Sequence, residues 1–219
     1  MRTICLIPAR GDSKRIPRKN IRPFLGRPII EYPIDTAKQS GIFSDIIVYT
    51  DNAEIRDIAI KAGASYMPRE TVSDNQSTTE MLIEFLKLYK KINNKLDYVC
   101  ILYPTSVFVT RKEVEVANMN HEDDAIITFC KYAHPTSREF VYVNNKIWMF
   151  HPENQFKNTS ELPVTYYDAG QMYFLNVKSF LEQKRIFMDN IYPIIIDAVD
   201  IDNPEDWKKA EAYYKSIHE

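Results

Sequence analysis

Basic side chains are concentrated in one short stretch near the N-terminus, from Ile7 to Asn20, which reads IPARGDSKRIPRKN. It contains five lysines and arginines against a single acid, Asp12. The preceding run, Thr3 to Ile7, predicts a buried strand, and loops that leave the carboxyl ends of parallel strands are where open α/β sheets place ligands. Backbone amides around Gly11 and Ser13 suit phosphate oxygens. A solvated basic turn is the alternative, and residue types alone leave the two interpretations equal.

A pair of acids lies near the other end of the chain, in the sequence VDIDNPED that begins at Val199. On an extended chain alternate side chains share a face, so Asp200 and Asp202 would emerge together and could bind one divalent cation. Asp202 or Asn203 is also suited to cap the helix that begins near Pro204. From these residues alone, helix capping ranks ahead of metal binding.

A polar stretch also follows a strand in the middle of the chain. The sequence YPTS at residues 103–106 comes directly after the apolar run from Tyr98 to Leu102. Proline at the end of a strand breaks its pairing, and the hydroxyl groups then project from the carboxyl edge of the sheet. We therefore expect them in the same crevice as the basic loop.

A second informative stretch, YDAGQMY, occupies residues 167–173. Its small pair, Ala169 and Gly170, permits a close approach of the backbone to a ligand or a neighbouring strand. Asp168 and Gln171 supply polar groups on either side of that pair. This stretch is a candidate binding site for a polar substrate.

Apolar runs and helical periodicity alternate along the chain. Strands are predicted over residues 3–7, 46–50, 98–102, 125–130 and 172–175. Helices are predicted over residues 29–39, 53–62, 80–91, 112–118 and 205–217. The alternation is typical of an α/β fold with a doubly wound, mostly parallel sheet. A chain of 219 residues suits a single domain, residues 1–219, with a buried core.

Residues from about 134 to 167 differ from the rest of the chain in their aromatic content. A hairpin is predicted through Asn144 and Asn145, and a polar connector follows from Asn154 to Glu161. An aromatic insertion of this kind is commonly a contact between subunits, and the alternative is a loop packed back on its own domain. His134 has no metal-ligand spacing to the other histidines.

Composition narrows the classes of partner. A formal net charge of −2 and a pI near 6.1 argue against general nucleic-acid binding, so the local cluster of cations favours a small polyanion. No apolar run reaches the length of a membrane span, and the N-terminal apolar segment is too short for a signal peptide, so we expect a cytoplasmic protein. The odd number of cysteines, three, predicts buried free thiols.

The basic stretch resembles the N-terminal signature of the CMP-sialic acid synthetase family of cytidylyltransferases, an apolar residue followed by P-A-R-x-x-S-K-x-x-x-x-K-N. Arg10, Ser13, Lys14, Lys19 and Asn20 fall on its key positions. The resemblance covers nearly the whole length and implies the same doubly wound, Rossmann-like nucleotidyltransferase fold. It also implies a loop that wraps the triphosphate of CTP, with Lys19 near the reacting phosphorus. Asp12 departs from the signature, because relatives carry an uncharged residue there.

Other motifs of the family match in part. Its Q-P-T-S sequence has Tyr103 in place of the glutamine, and its R-P-N-G-A-I-Y sequence has Tyr167 and Ala169 in place of the arginine and asparagine. Both departures resemble the branch of the family that acts on pseudaminic acid. The family's arginine before Pro68 is Met67 here, and Arg69 is either its substitute or a surface residue.

The resemblance implies a reaction in which the anomeric hydroxyl of an acidic nonulosonic sugar attacks the α-phosphorus of CTP and expels pyrophosphate. It implies catalytic cations at Arg10, Lys14 and Lys19 and Mg²⁺ on Asp200 and Asp202. It implies nucleotide contacts from Ala9, Arg10, Gly11, Ser13, Lys14, Asn20, Ser73, Asp74, Pro104 and Thr105. The candidate sugar ligands are Tyr103, Arg138, Asp168 and Gln171.

The resemblance further implies a homodimer that forms through the insertion at residues 134–167. Two alternatives to a pseudaminic acid enzyme stay open. One is a sister enzyme for sialic, legionaminic or a deoxyoctulosonic acid. The other is a nucleotide-binding protein that has lost catalysis, which the carboxylate of Asp12 in the basic loop favours.

Overall fold

The computed structural model describes residues 1–70, 76–92 and 95–218. The strands in chain order are β1 (Thr3–Pro8), β2 (Pro23–Phe24), β3 (Arg27–Pro28), β4 (Asp45–Thr50), β5 (Ser65–Pro68), β6 (Tyr98–Leu102), β7 (Ala125–Lys131), β8 (Phe140–Val143), β9 (Lys146–Met149), β10 (Tyr166–Asn176) and β11 (Ile191–Ile195). The α-helices are α1 (Glu31–Ser40), α2 (Ala53–Lys61), α3 (Thr78–Ile92), α4 (Arg111–Met119), α5 (Val177–Gln183) and α6 (Pro204–His218).

Seven strands form the central sheet in the order β11-β7-β10-β6-β1-β4-β5. Only β10 runs antiparallel to its neighbours within that sheet, and the pairs β1–β4, β1–β6, β4–β5 and β7–β11 are parallel. The predicted doubly wound α/β fold is therefore confirmed. Because the parallel strands share a direction, the loops after β1, β4 and β6 emerge at one edge of the sheet.

The helices begin and end where the sequence provides capping groups. Asn52 accepts hydrogen bonds from the backbone amides of Glu54 and Ile55 at the start of α2, at 2.9 and 3.1 Å. Gly41 ends α1 in the left-handed conformation with φ of 66°. These caps set the end of α1 and the start of α2, and α2 packs beside the loop after β1.

Two apolar layers cover the two faces of the sheet. Cys5 and Cys100 lie opposite each other on β1 and β6 and are fully buried. Burial raises the pKa of both thiols, so they stay neutral and pack as small apolar groups. The prediction of buried free cysteines is confirmed for these two and for Cys130.

The insertion carries the predicted hairpin, formed by β8 and β9 as a separate two-stranded sheet. Asn144 and Asn145 both have positive φ, at 52° and 59°, as a two-residue turn of the primed type requires. Large apolar side chains of this region are exposed, Trp148 at 59% and Phe156 at 90%. The described residues contain no helix long and apolar enough to cross a lipid bilayer.

Candidate active site

A cleft of about 860 Å³ opens at the carboxyl edge of the sheet. It brings together the basic loop after β1, the loop after β6, strand β10 and the acidic segment before α6. The predicted residues that line it are Arg10, Ser13, Lys14, Lys19, Asn20, Tyr103, Pro104, Thr105, Asp168, Asp200 and Asp202. Segments nearly 190 residues apart in the sequence therefore face one space.

Two hydrogen bonds between side chains and the loop's backbone shape the basic loop. The amide of Gly11 donates to the Asp51 carboxylate at 2.8 Å, and the Asn20 side chain donates to the carbonyl of Arg10 at 2.8 Å. A Cβ atom on Gly11 would lie 2.7 Å from the side-chain nitrogen, Nδ2, of Asn52. Glycine is required here because the loop packs directly on the residue that caps α2.

Asp12 does not face the cleft. Its side chain is exposed, and it is absent from the residues that line the space. Arg18 of the same loop also points elsewhere, since it pairs with Glu54 on α2. The carboxylate that departs from the family signature thus lies outside the cluster of cations.

The acidic segment divides its two predicted roles between neighbouring residues. The Asn203 side chain accepts hydrogen bonds from the amides of Glu205 and Asp206 at 2.9 and 3.0 Å, so Asn203 caps α6. Asp202 instead forms ion pairs with Arg15 at 2.9 Å and with Lys19 at 3.6 Å. Its carboxylate is therefore directed into the basic loop.

The charged groups in this part of the cleft alter one another's pKa values. Partial burial, followed by the negative charge of Asp202, raises the pKa of Asp200, and Lys19 opposes the shift. Burial lowers the pKa of Lys19, while Asp202 and Asp200 partly offset that effect. A divalent cation would relieve the repulsion between the two carboxylates, and carboxylate oxygen is the donor that Mg²⁺ prefers. The pair fits such a cation.

Two carboxylates alone do not complete a metal site. Among residues 1–70, 76–92 and 95–218, no group of three or more His, Cys, Asp or Glu side chains is placed to hold a metal ion. Mg²⁺ takes six oxygen ligands and usually keeps water or substrate phosphate among them. Asp200 and Asp202 therefore suit a metal that arrives with, or is completed by, a phosphorylated ligand.

A second group of polar side chains in the cleft consists of hydroxyl groups around the carboxylate of Asp168. It adjoins the acidic segment, because a Cβ atom on Gly170 would lie 3.7 Å from a side-chain oxygen of Asp200. The two oxygens of Asp168 accept hydrogen bonds from the Gly170 amide at 3.0 Å and from the Tyr173 hydroxyl at 2.6 Å. Gly170 has φ of 61° and lies at a bulge in β10. The hydroxyl of Tyr103 is hydrogen-bonded to that of Thr78. This arrangement presents a fixed carboxylate and phenol groups to a polyhydroxylated ligand.

Several predicted site residues lie away from the cleft. Gln171 is fully buried, and its side-chain amide has no hydrogen-bond partner among the described residues. Arg138 lies in the insertion, where its guanidinium bonds the carbonyl of Lys157. Ala9 is buried in the core, and Gly11 lines a smaller adjoining cavity of about 250 Å³.

The predicted contacts from Ser73 and Asp74 fall outside the described residues. The neighbouring polar segment does reach the cleft through Gln76 and Thr78. The helix predicted over residues 80–91 begins earlier, at Thr78, and its cap is Ser77, whose hydroxyl accepts from the Glu80 amide at 3.2 Å. Thr78 is thereby left inside the helix, with its hydroxyl directed at Tyr103.

Sequence reasoning missed several lining residues. Arg15 was visible within the basic cluster but matched no position of the family signature. Tyr173 looked like an ordinary strand residue because its direction depends on the bulge before it. Arg69, which was equally consistent with a surface position, is only 9% exposed and lines the cleft.

Comparisons with known proteins agree with this geometry. A profile of the family described as Cytidylyltransferase matches residues 4–217. Pseudaminic acid cytidylyltransferase of Campylobacter jejuni is 33% identical over 229 residues, covering 100% of this chain and 99% of its own. The CMP-N,N'-diacetyllegionaminic acid synthase of Legionella pneumophila is 29% identical over 224 residues, covering 96% of this chain and 95% of its own.

Solved structures share the fold at lower identity. A CMP:2-keto-3-deoxy-manno-octonic acid synthetase complexed with CTP aligns with a TM-score of 0.72 at 18% identity, covering 99% of this chain and 100% of its own. A 4-diphosphocytidyl-2C-methyl-D-erythritol synthase from Anaerococcus prevotii gives 0.70 at 16% identity, covering 98% and 96%. With the family profile spanning nearly its whole length, the chain belongs to the cytidylyltransferase family of nucleotidyltransferases.

Proposed function

We propose that this enzyme transfers CMP from CTP to pseudaminic acid, an acidic nine-carbon sugar, and releases pyrophosphate. The observation that carries the proposal is the convergence of the basic loop and the paired aspartates on one cleft, which also holds the carboxylate and phenol groups of β10 and of the loop after β6. A triphosphate needs concentrated positive charge, and a sugar needs fixed hydrogen-bonding groups. The basic loop offers the first, and β10 with the loop after β6 offers the second.

The protein contributes positioning and charge neutralisation to this reaction. The anomeric hydroxyl attacks the α-phosphorus, and the bond to the bridging oxygen of pyrophosphate breaks. Arg10, Lys14 and Lys19 lie where they would stabilise charge on the phosphate oxygens. Mg²⁺ held by Asp200 and Asp202 would supply further neutralisation of that charge. Aligning the hydroxyl with the phosphorus lowers the entropic barrier to attack.

Pseudaminic acid is preferred as the sugar on two grounds. Tyr103 and Asp168, whose sequence contexts distinguish this branch of the family, both line the cleft. A relative named for pseudaminic acid is 33% identical over the full length, against 29% for one named for legionaminic acid. The comparisons lend no support to the alternative of an inactive nucleotide-binding protein.

A substrate panel tests the proposal. Purified protein is incubated with CTP, Mg²⁺ and pseudaminic, sialic, legionaminic or 2-keto-3-deoxyoctonic acid, and pyrophosphate release is followed. Pseudaminic acid should give the highest kcat/KM. A higher value for another acid would replace the sugar assignment, and release with none of the four would contradict the proposed activity.

We further propose that the chain forms a homodimer through the insertion at residues 134–167. Clustered exposed apolar side chains are characteristic of interfaces, and Trp148 and Phe156 are among the most exposed aromatic side chains of the described residues. Sedimentation analysis should give a dimer for the wild type and a monomer for the double variant Trp148→Ser, Phe156→Ser. Met119→Ser, at a position 70% exposed on α4, is the matched control and should leave the dimer intact. A monomeric wild type would contradict this.

A further inference from the structure

A buried cation forms part of the cleft wall. Arg69 follows β5, is 9% exposed, and lines the cleft beside Gln76. Its guanidinium carbon lies 5.7 Å from the centre of the Tyr49 ring. Burial lowers the pKa of Arg69, which nevertheless remains charged because guanidinium pKa values are so high. A buried charge is stabilised by the groups around it, so the contacts of Arg69 determine where its guanidinium lies.

A chain of three hydrogen bonds fixes one side of this guanidinium. Arg69 donates to the side-chain oxygen of Gln76 at 2.5 Å. The amide nitrogen of Gln76 donates to one oxygen of Glu84 at 2.8 Å. The hydroxyl of Tyr49 donates to the other oxygen of Glu84 at 3.0 Å. The chain joins β4, helix α3 and the segment before α3 to the cleft.

The direction of these bonds depends on Glu84. An ionised carboxylate only accepts hydrogen bonds, so it holds the nitrogen of the Gln76 amide towards itself and turns the oxygen towards Arg69. A donor at position 84 would favour the reversed amide and would place its NH₂ group against the guanidinium. Tyr49 is fully buried, and its hydroxyl fixes the carboxylate in turn.

We propose that Tyr49 and Glu84, acting through Gln76, are positioning residues that hold Arg69 in place to bind the nucleotide. The inference rests on the proposed function, because it assigns CTP as the ligand of this wall. Arg10 and Arg69 both line this cleft, so the two cations can act on the same ligand. The guanidinium presents several donors in a fixed plane, which suits the acceptor atoms of a nucleotide.

The chain of hydrogen bonds offers a test by reversal and rescue. In Glu84→Gln one of the two donors that bond Glu84, the Gln76 amide or the Tyr49 hydroxyl, meets an NH₂ group in place of an acceptor. The variant therefore permits the reversed Gln76 amide and should weaken CTP binding about tenfold. Adding Gln76→Glu restores an acceptor for both Arg69 and the new glutamine. The double variant Glu84→Gln, Gln76→Glu should therefore bind CTP within about threefold of the wild type.

The readouts separate positioning from general damage. CTP binding is measured by calorimetry without sugar, and KM for CTP, KM for the sugar and kcat are measured by pyrophosphate release. Glu84→Gln should raise the dissociation constant and KM for CTP while KM for the sugar stays within about twofold of the wild type. Because CTP binding is measured directly, the result does not depend on which sugar is the acceptor.

Matched tyrosine variants complete the experiment. Tyr49→Phe removes only the hydroxyl that holds Glu84 and should weaken CTP binding about threefold. Tyr89→Phe removes a hydroxyl outside this chain of bonds, on a ring that stacks against Phe85, and should leave CTP binding unchanged. The proposal is overturned if the double variant binds CTP as weakly as Glu84→Gln alone, or if the Phe variants at positions 49 and 89 weaken binding equally. A wild-type protein that binds no CTP would contradict both this inference and the proposed function.

Discussion

The basic loop and strand β10 hold their polar side chains in the cleft in different ways. In the loop after β1, Arg15 and Lys19 pair with the carboxylate of Asp202, at 2.9 and 3.6 Å. The groups that a triphosphate and a metal ion require thus neutralise one another. A ligand must separate these pairs before it can use either member.

On β10, the polar groups are held by hydrogen bonds within the strand itself. Asp168 accepts from the Gly170 amide and the Tyr173 hydroxyl, and neither donor is a cation that a ligand would claim. We expect the carboxylate to keep its position when a sugar binds. The basic loop is therefore arranged to exchange partners on binding, whereas the polar groups of β10 are preorganised.

The largest expected effect concerns the acidic segment before α6, whose Asp202 pairs with the basic loop. Asp200→Asn should reduce kcat about a thousandfold, because it removes a group that the proposed metal needs beside the reacting phosphate. Asn203→Ala is the matched variant, since Asn203 caps α6 and does not line the cleft. It should lower the free energy of unfolding by about 1 kcal/mol and leave kcat near the wild-type value. The reverse pattern would assign this segment to stability alone.

Changes to the preorganised groups of β10 should alter KM for the sugar. Tyr173→Phe removes the hydroxyl that holds Asp168 and should raise KM for the sugar about tenfold, with KM for CTP unchanged. Steady-state kinetics with each substrate varied in turn measures this. The control is Tyr98→Phe, whose hydroxyl donates to the carbonyl of His121. If Tyr173→Phe changed KM for CTP and KM for the sugar equally, the groups of β10 would not be specific to the sugar.

A smaller effect tests the exchange of partners. Arg15→Gln removes an exposed ion pair with Asp202 and should tighten Mn²⁺ binding to the free protein about threefold. Arg18→Gln is the matched control in the same loop, because Arg18 pairs with Glu54 and does not contact Asp202. Electron paramagnetic resonance of free Mn²⁺ measures both affinities without turnover. Equal affinities for the two variants would show that the pair with Arg15 does not compete with the metal.

The smallest effect is on stability and follows from the raised pKa of Asp200. The folded protein holds that proton more tightly than the unfolded chain, so the free energy of unfolding should fall as pH rises from the ordinary aspartate pKa through the raised one. Asp200→Asn should remove this part of the pH dependence. Urea unfolding of the metal-free protein in buffers between about pH 4 and pH 7 measures it. A wild type and variant with parallel pH profiles would contradict the shift.

Much of the fold was predictable because its signals are local. Gly41 ends α1, and Asn144 and Asn145 form a hairpin turn, since each conformation follows from the residue itself. Strand β11 was missed because Pro193 weakens the strand pattern, and the sheet accepts it at an edge. Strand β5 was missed because it is only four residues long and mostly exposed.

The site was predictable in its motifs and less so in its details. The alternation of side chains along a strand predicts which face each residue occupies, but the bulge at Gly170 interrupts it. Asp168 and Tyr173, which regular alternation would place on opposite faces, consequently both line the cleft. Asp202 and Asn203 are both good caps by residue type, and only their tertiary contacts show which one caps α6.

A crystal structure of the protein with CTP and Mg²⁺ would show whether the basic loop and the paired aspartates bind one nucleotide. The triphosphate should lie against Arg10, Lys14 and Lys19, with a metal about 2.1 Å from carboxylate oxygens of Asp200 and Asp202. Arg15 and Lys19 should then have left Asp202 for the phosphates, while Asp168 keeps its bonds to Gly170 and Tyr173. A triphosphate bound in the smaller cavity beside Arg18, with Asp202 still paired to Arg15, would contradict it.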